Sequence, residues 1–253
     1  MLHGVFVGVG ARRDGRLPSA TTAHADAEAM YACIAASAAD PRHLTFLIGE
    51  RATKATIERV LSKELPARVT EEDTVLLYLA GSGWLGAAST QAEPSTLFLA
   101  HDSTIEGPRA SSLDITTELA TWMRALGAKL VTLVVDASFA NGSGGPASSR
   151  STPPPLSKRR PRWSTVAIGT RCVVLSANGD APAAVEPESS KAGTFTRDLI
   201  HAIGAVPGGT MITPALLHAA TTSDVGAGGA PSARTSVLLG ASFTTRTPLF
   251  RTR

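Results

Sequence analysis

Short apolar runs alternate with amphipathic stretches along most of the chain. Val5-Phe6-Val7-Gly8-Val9 is apolar on both faces, the pattern of a buried parallel strand. Over 20–38, Ala27, Met30, Tyr31, Ile34 and Ala38 recur at helical spacing and form one stripe. Asp40-Pro41 ends that helix, because proline disfavours helix in the residue before it. Leu44 to Ile48 predicts a second strand. Thr53 can cap a helix whose inner face is Ile57, Val60, Leu61 and Leu65. Thr74 to Ala80 is apolar on both faces and predicts a central strand, followed by a Gly/Ala/Ser-rich loop over 81–95. Leu97-Phe98-Leu99 predicts a short extra strand, and Asp114 can cap a helix reaching residue 126. Leu130 to Val135 predicts the fourth main strand, ending at Asp136.

The pattern breaks at 141–164. NGSGGPASSRSTPPPLSKRRPRWS is rich in Gly, Ser, Pro and Arg, buries too little apolar surface to order itself, and predicts a mobile linker. Periodicity resumes with a strand at Val173-Val174-Leu175, a loop over 177–192, and a helix marked by Phe195, Leu199 and Ile203. A shorter helix at Pro214 to Ala220 and a strand at Val237-Leu238-Leu239 complete it. Strands alternating with helices predict an α/β fold, a mostly parallel sheet of about six strands covered on both faces. In such sheets sites lie beyond the carboxyl ends of the strands, which points to Gly10, Gly81 and Asp136.

Composition narrows this reading. Of 253 residues, 43% are hydrophobic and only 5% aromatic, so a full core is available and must be built from Val, Leu, Ile and Ala. The net charge of +3 is local: Arg150, Lys158, Arg159, Arg160 and Arg162 lie in 141–165 with no acid, and subtracting these five leaves the rest at −2. One basic loop argues against a nucleic-acid partner. No basic leader followed by an apolar stretch opens the chain, and no run approaches the roughly 18 apolar residues of a membrane span. Cys33 and Cys172 are far apart without CxxC spacing, which reads as inert core thiols in a reducing cytoplasm.

Most candidate motifs fail on spacing. After Gly8-Val-Gly10 no GxGxxG forms. Gly10 to Gly15 has P-loop spacing, but Arg16 stands where the lysine belongs and no Ser or Thr follows. Ala80-Gly-Ser82-Gly-Trp84 is not a GxSxG elbow. Asn141-Gly-Ser143 is a glycosylation sequon, irrelevant without secretion. Histidines 3, 24, 43, 101, 201 and 218 show no HxxxH or HxH spacing, so no metal or other cofactor is expected. His101 alone follows a strand toward the same sheet edge, where a surface or capping role is its simplest use. Asp136-Ala137-Ser138 is the more informative tip, because an acid at a buried strand end needs a partner or a function.

In order and spacing these pieces resemble the caspase-like peptidases, on their metacaspase/orthocaspase branch. HGVFVGVG and HADAEAM resemble the family's first strand and the Asp-Ala start of its first helix; TKATI resembles the opening of its second helix. TVLLYLAGSG resembles the strand ending in Ser-Gly-His-Gly, and LVTLVVDASFANG the strand ending in Asp-Ala/Ser-Cys. VVLSANGDAPA and AGTFTRDLIHAI resemble the start and helix of the small subunit, so the likeness runs from about residue 3 to 222. It implies a three-layer α/β/α sandwich in one domain, 1–253, with a large-subunit-like part (1–140), a basic linker (141–164) and a small-subunit-like part (165–253).

The departures fall on the catalytic dyad. Ser82 stands at the family's His position and Ser138 at its Cys position. The thiolate is the nucleophile there, and the imidazole keeps it ionised and protonates the leaving amine. The resemblance implies that Ser82 and Ser138 face each other across exposed strand tips, and that Asp136 and Asp26 match the family's pocket for a basic side chain. Capping of helices or loop amides is the alternative use of both acids. The family's calcium-site acids find no match. Lys158-Arg159-Arg160 falls where the family is processed. It reads as a cleavage site for a partner protease, a pseudosubstrate for the acidic pair, or a solvated loop.

Three functions follow. The first is a silent caspase-like domain that binds a basic peptide or protein, with neither nucleic acid nor membrane as partner, in a stress or defence pathway. The second is an inactive variant of an Arg/Lys-specific cysteine endopeptidase. The third is a hydrolase in which His101 activates Ser138.

Overall fold

The computed structural model describes residues 1–85, 95–141, 170–177, 193–222, 236–239 and 243–253. The first half runs β1 (Leu2–Gly8), α1 (Ala23–Ser37), β2 (Leu44–Ile48), α2 (Lys54–Arg59), β3 (Thr74–Leu85), β4 (Thr96–Phe98), α3 (Pro108–Ser111), β5 (Leu113–Asp114), α4 (Glu118–Ala125) and β6 (Leu130–Asn141). The second half runs β7 (Cys172–Ser176), α5 (Thr194–Gly204), β8 (Met211–Ile212), α6 (Pro214–Thr222), β9 (Ser236–Leu239) and β10 (Phe250–Arg251).

Six strands form the main sheet in the order β2-β1-β3-β6-β7-β9. All neighbours in it pair parallel except β7 with β9. β4 pairs antiparallel with the end of β3, and β5 with β4. The central strands are apolar on both faces because both are covered. Val75, Leu77 and Leu79 of β3 pack with Val131, Leu133 and Val135 of β6 beneath Ile57, Leu61, Leu119 and Met123. Leu76 and Tyr78 face the other way, toward Ala27, Met30 and Ile34 of α1 and Phe195, Leu199 and Ile203 of α5. The result is the expected three-layer α/β/α sandwich.

Three local expectations are corrected. Residues 81–85 are strand rather than loop, and β6 runs on to Asn141 rather than stopping before Asp136, so Gly81 and Asp136 lie inside strands. The ladder continues in register from Thr74↔Leu130 to Leu85↔Asn141. Gly81 and Gly83 permit this. A Cβ on Gly81 would stand 3.0 Å from the Phe98 ring, and one on Gly83 would overlap the Phe139 ring. The glycines make room for two aromatic rings over the sheet, which a turn reading misses. Asp114 also acts one step earlier than expected. Its Oδ1 accepts the N–H groups of Thr116 at 3.0 Å and Thr117 at 3.1 Å, ordering the turn before α4, which starts at Glu118. Thr53 caps α2 as expected, accepting the Thr56 N–H at 3.2 Å.

Cys172 is buried and its thiol is pushed up to about 11, mainly by that burial. Cys33 is half-buried against the core on α1, and burial raises its thiol as well.

His3 makes stability pH-dependent. It is 3% exposed and stacks on His43 at 5.0 Å, and its Nδ1 has no hydrogen-bond partner among the described residues. Burial lowers its pKa, and His43 and Arg68 add to that, against the upward pull of Asp73 at 3.5 Å. The folded chain therefore resists a proton that the unfolded chain accepts. Stability is full above the unfolded histidine pKa of about 6.5 and falls as pH drops through it toward the folded value. The urea midpoint is expected to fall between pH 7.5 and pH 5.5, roughly one unit either side of that pKa, and His3→Leu is expected to flatten the fall.

Candidate functional site

Side chains alternate along a strand, so Tyr78, Ala80 and Ser82 of β3 share the face covered by α1 and α5 with Val134, Asp136 and Ser138 of β6. Ser82 and Ser138 are direct register partners on these adjacent parallel strands, and Ala80 and Asp136 are the pair one step below. The two serines differ in access. Ser138 is exposed, whereas Ser82 is only 2% exposed. That corrects the expectation of two exposed serines at strand tips. β3 extends past Ser82 to pair with β4, and the Ser82 carbonyl accepts the Leu99 N–H at 3.0 Å.

Below the serines lies a buried polar chain. Thr196, in the first turn of α5, donates its hydroxyl to Asp136 Oδ2 at 2.5 Å. The Thr196 and Tyr78 hydroxyls are also hydrogen-bonded. Thr196 has one hydroxyl proton and gives it to Asp136, so Tyr78 is the donor in that second bond. Burial raises the Tyr78 pKa well above its ordinary value, and the charges of Asp136 and Asp26 raise it further, so the phenol stays protonated. Asp26, on α1, is 2% exposed and its Oδ1 accepts the Gly193 N–H at 2.7 Å, at the entry to α5. Both acids thus act on one phenol, Asp26 from α1 and Asp136 from β6. Asp136 is half-buried. Asp26 lies deeper and already serves a loop amide, the alternative use foreseen for it.

Tyr78 and Thr196 were not singled out by sequence reasoning. The available signal was a tyrosine inside the apolar run TVLLYLA, which needs a polar partner when buried.

His101 is tied to the loop after β1. Its N–H donates to the Ala52 carbonyl, its carbonyl accepts the Arg13 N–H, and Nδ1 lies 3.3 Å from the Ala11 carbonyl. Lys158, Arg159 and Arg160 lie outside the described residues, as do 142–164 of the expected linker. Among the described residues, no group of three or more His, Cys, Asp or Glu gathers to hold a metal, and no helix is long and apolar enough to cross a membrane.

No family model matches the chain, and no curated protein is similar to it in sequence. Solved structures are similar in fold. The crystal structure of protein GSU0716 from Geobacter sulfurreducens matches with a TM-score of 0.64 at 16% identity, covering 100% of this chain and 97% of that one. The crystal structure of caspase-1 from Spodoptera frugiperda matches with a TM-score of 0.56 at 11% identity, covering 94% of this chain and 86% of that one. The chain has the caspase-like fold.

Proposed function

We propose that the chain is a caspase-like domain of the metacaspase branch that does not cut peptide bonds and acts by holding a basic peptide or protein segment. One observation carries this reading. Two hydroxyls, Ser82 and Ser138, stand in register where such a fold needs an imidazole and a thiol, and Asp136 lies two residues before Ser138 on the same face. Neither hydroxyl is a base, and the burial of Ser82 removes it further from any reacting atom. Loss of one member of a nucleophile–base pair costs on the order of 10⁶ in rate, and loss of the second adds little.

The surviving chemistry is recognition. A half-buried carboxylate, held by Thr196 and backed by the Asp26 charge, favours a cation, and a planar guanidinium above all. Lys158-Arg159-Arg160 is one such ligand in cis, and a processing site for a partner protease in trans. The reading places the protein in a reducing cytoplasm as one domain, with a basic linker between two parts, in a stress or defence response.

The test is turnover of Arg- and Lys-ended fluorogenic peptides by wild type and Ser138→Ala. Equal background rates are expected. Wild-type turnover that vanishes in Ser138→Ala overturns the silent reading and favours activated serine chemistry.

A further inference from the structure

A buried charge in the loop between β1 and α1 belongs to none of this chemistry. Arg12 is 8% exposed. Its Nη1 lies 3.5 Å from the Gly10 carbonyl and donates to the Pro18 carbonyl. Its Nε and Nη2 are buried and make no hydrogen bond among the described residues. Burial alone pulls its pKa down, to about 10, with no neighbouring carboxylate opposing the shift. The acids nearest in the chain and on the facing loop are engaged elsewhere. Asp14 pairs with Arg16 at 2.8 Å and accepts the Ile105 N–H at 3.0 Å, and Glu106 pairs with Arg16 at 2.5 Å.

A guanidinium without a counter-ion in such a place is costly, so its retention calls for a partner. The nitrogens left over are not arbitrary. Nε and Nη2 form the side-on edge of the guanidinium, the two parallel donors that grip both oxygens of a planar acid. The remaining nitrogen is held by two backbone carbonyls, which fixes the direction of that edge. The loop itself is pinned: the Ala20 N–H meets the Gly10 carbonyl at 3.0 Å, and the Arg13 N–H meets the His101 carbonyl at 2.9 Å.

We propose that Arg12 is a receptor for a single carboxylate, bound bidentately through Nε and Nη2 at the carboxyl edge of the sheet. Charge selects carboxylate over phosphate. One guanidinium rimmed by two carbonyl oxygens balances a monoanion and leaves a dianion with an uncompensated charge in a buried place. The ligand class is a carboxylate-bearing molecule, such as an acidic side chain or chain terminus. The proposal uses neither serine nor the acidic pair, so it stands or falls apart from the function proposed above.

The experiment follows arginine Nε–H resonances of the full chain by NMR, titrated with acetate, phosphate or chloride at constant ionic strength. Arg12 is assigned by the peak missing from Arg12→Lys. A saturable shift of that peak in acetate is expected, with a weaker response to phosphate and none to chloride. Arg12→Lys keeps the charge but loses the fork, and is expected to lower the acetate-induced rise in melting temperature to the extent of about a tenfold loss of affinity. Arg12→Gln is expected to abolish it. No saturable shift in acetate overturns the proposal, as does an equal response to chloride. Phosphate binding more tightly than acetate overturns the carboxylate assignment. If one variant fails to fold, the other serves for the assignment, and the wild-type titration decides the matter.

Discussion

Asp136→Asn is expected to weaken binding of an Arg-ended peptide by about a hundredfold, the cost of leaving a desolvated guanidinium without its carboxylate. The substitution keeps size and leaves an oxygen to accept the Thr196 hydroxyl, so the fold is expected to persist while the charge is lost. Thr196→Val tests the same site from behind. It keeps the side-chain shape and deletes the donor that aims Asp136, and is expected to cost roughly tenfold in affinity, the worth of one hydrogen bond to a charged group. Thr196→Ser restores the donor and is expected to recover most of the loss. Binding is measured by calorimetry, with an acidic peptide of equal length as the control. Asp136→Asn binding as tightly as wild type would move the recognition site elsewhere.

The second large effect is on stability. Phe98 is fully buried, closes one side of the core at β4, and packs where a Gly81 side chain would otherwise stand. Phe98→Ala is expected to cost about 3–5 kcal/mol in urea unfolding, from lost burial and the cavity left behind. It also releases the clamp that keeps 81–85 in the sheet, so faster hydrogen exchange is expected at Leu99, whose N–H meets the Ser82 carbonyl at 3.0 Å. Small change in both would mean that β4 does not hold the end of β3.

Much of this architecture is written in local pattern. β2 has the bounds that its apolar run predicts, and the stripe Ala27, Met30, Ile34 is the buried face of α1. Thr53 caps where its spacing says. What escapes local reading depends on contacts distant in sequence. Gly81-Ser-Gly83 has the composition of a turn, and only the rings of Phe98 and Phe139 turn it into strand. Ser82 is buried on the opposite face of the same strand, so its motif position was legible and its access was not. Tyr78 and Thr196 meet across 118 residues, which no periodicity encodes. Arg12 was not singled out in its loop, and its burial goes with contacts to the Gly10 and Pro18 carbonyls that no periodicity encodes.

The fold and the proposed silence of the centre are separate matters. The likeness to solved structures is one of fold and does not depend on the exposure of the two serines. Silence rests on chemistry at two positions. One titration addresses the central claim. An Arg-ended peptide carrying a cleavable fluorophore is mixed with increasing wild-type protein, and anisotropy and fluorophore release are read together. A saturable rise in anisotropy with the fluorophore still attached is the predicted result. Release of the fluorophore, or no rise in anisotropy at any concentration, contradicts a domain that holds basic chains without cutting them.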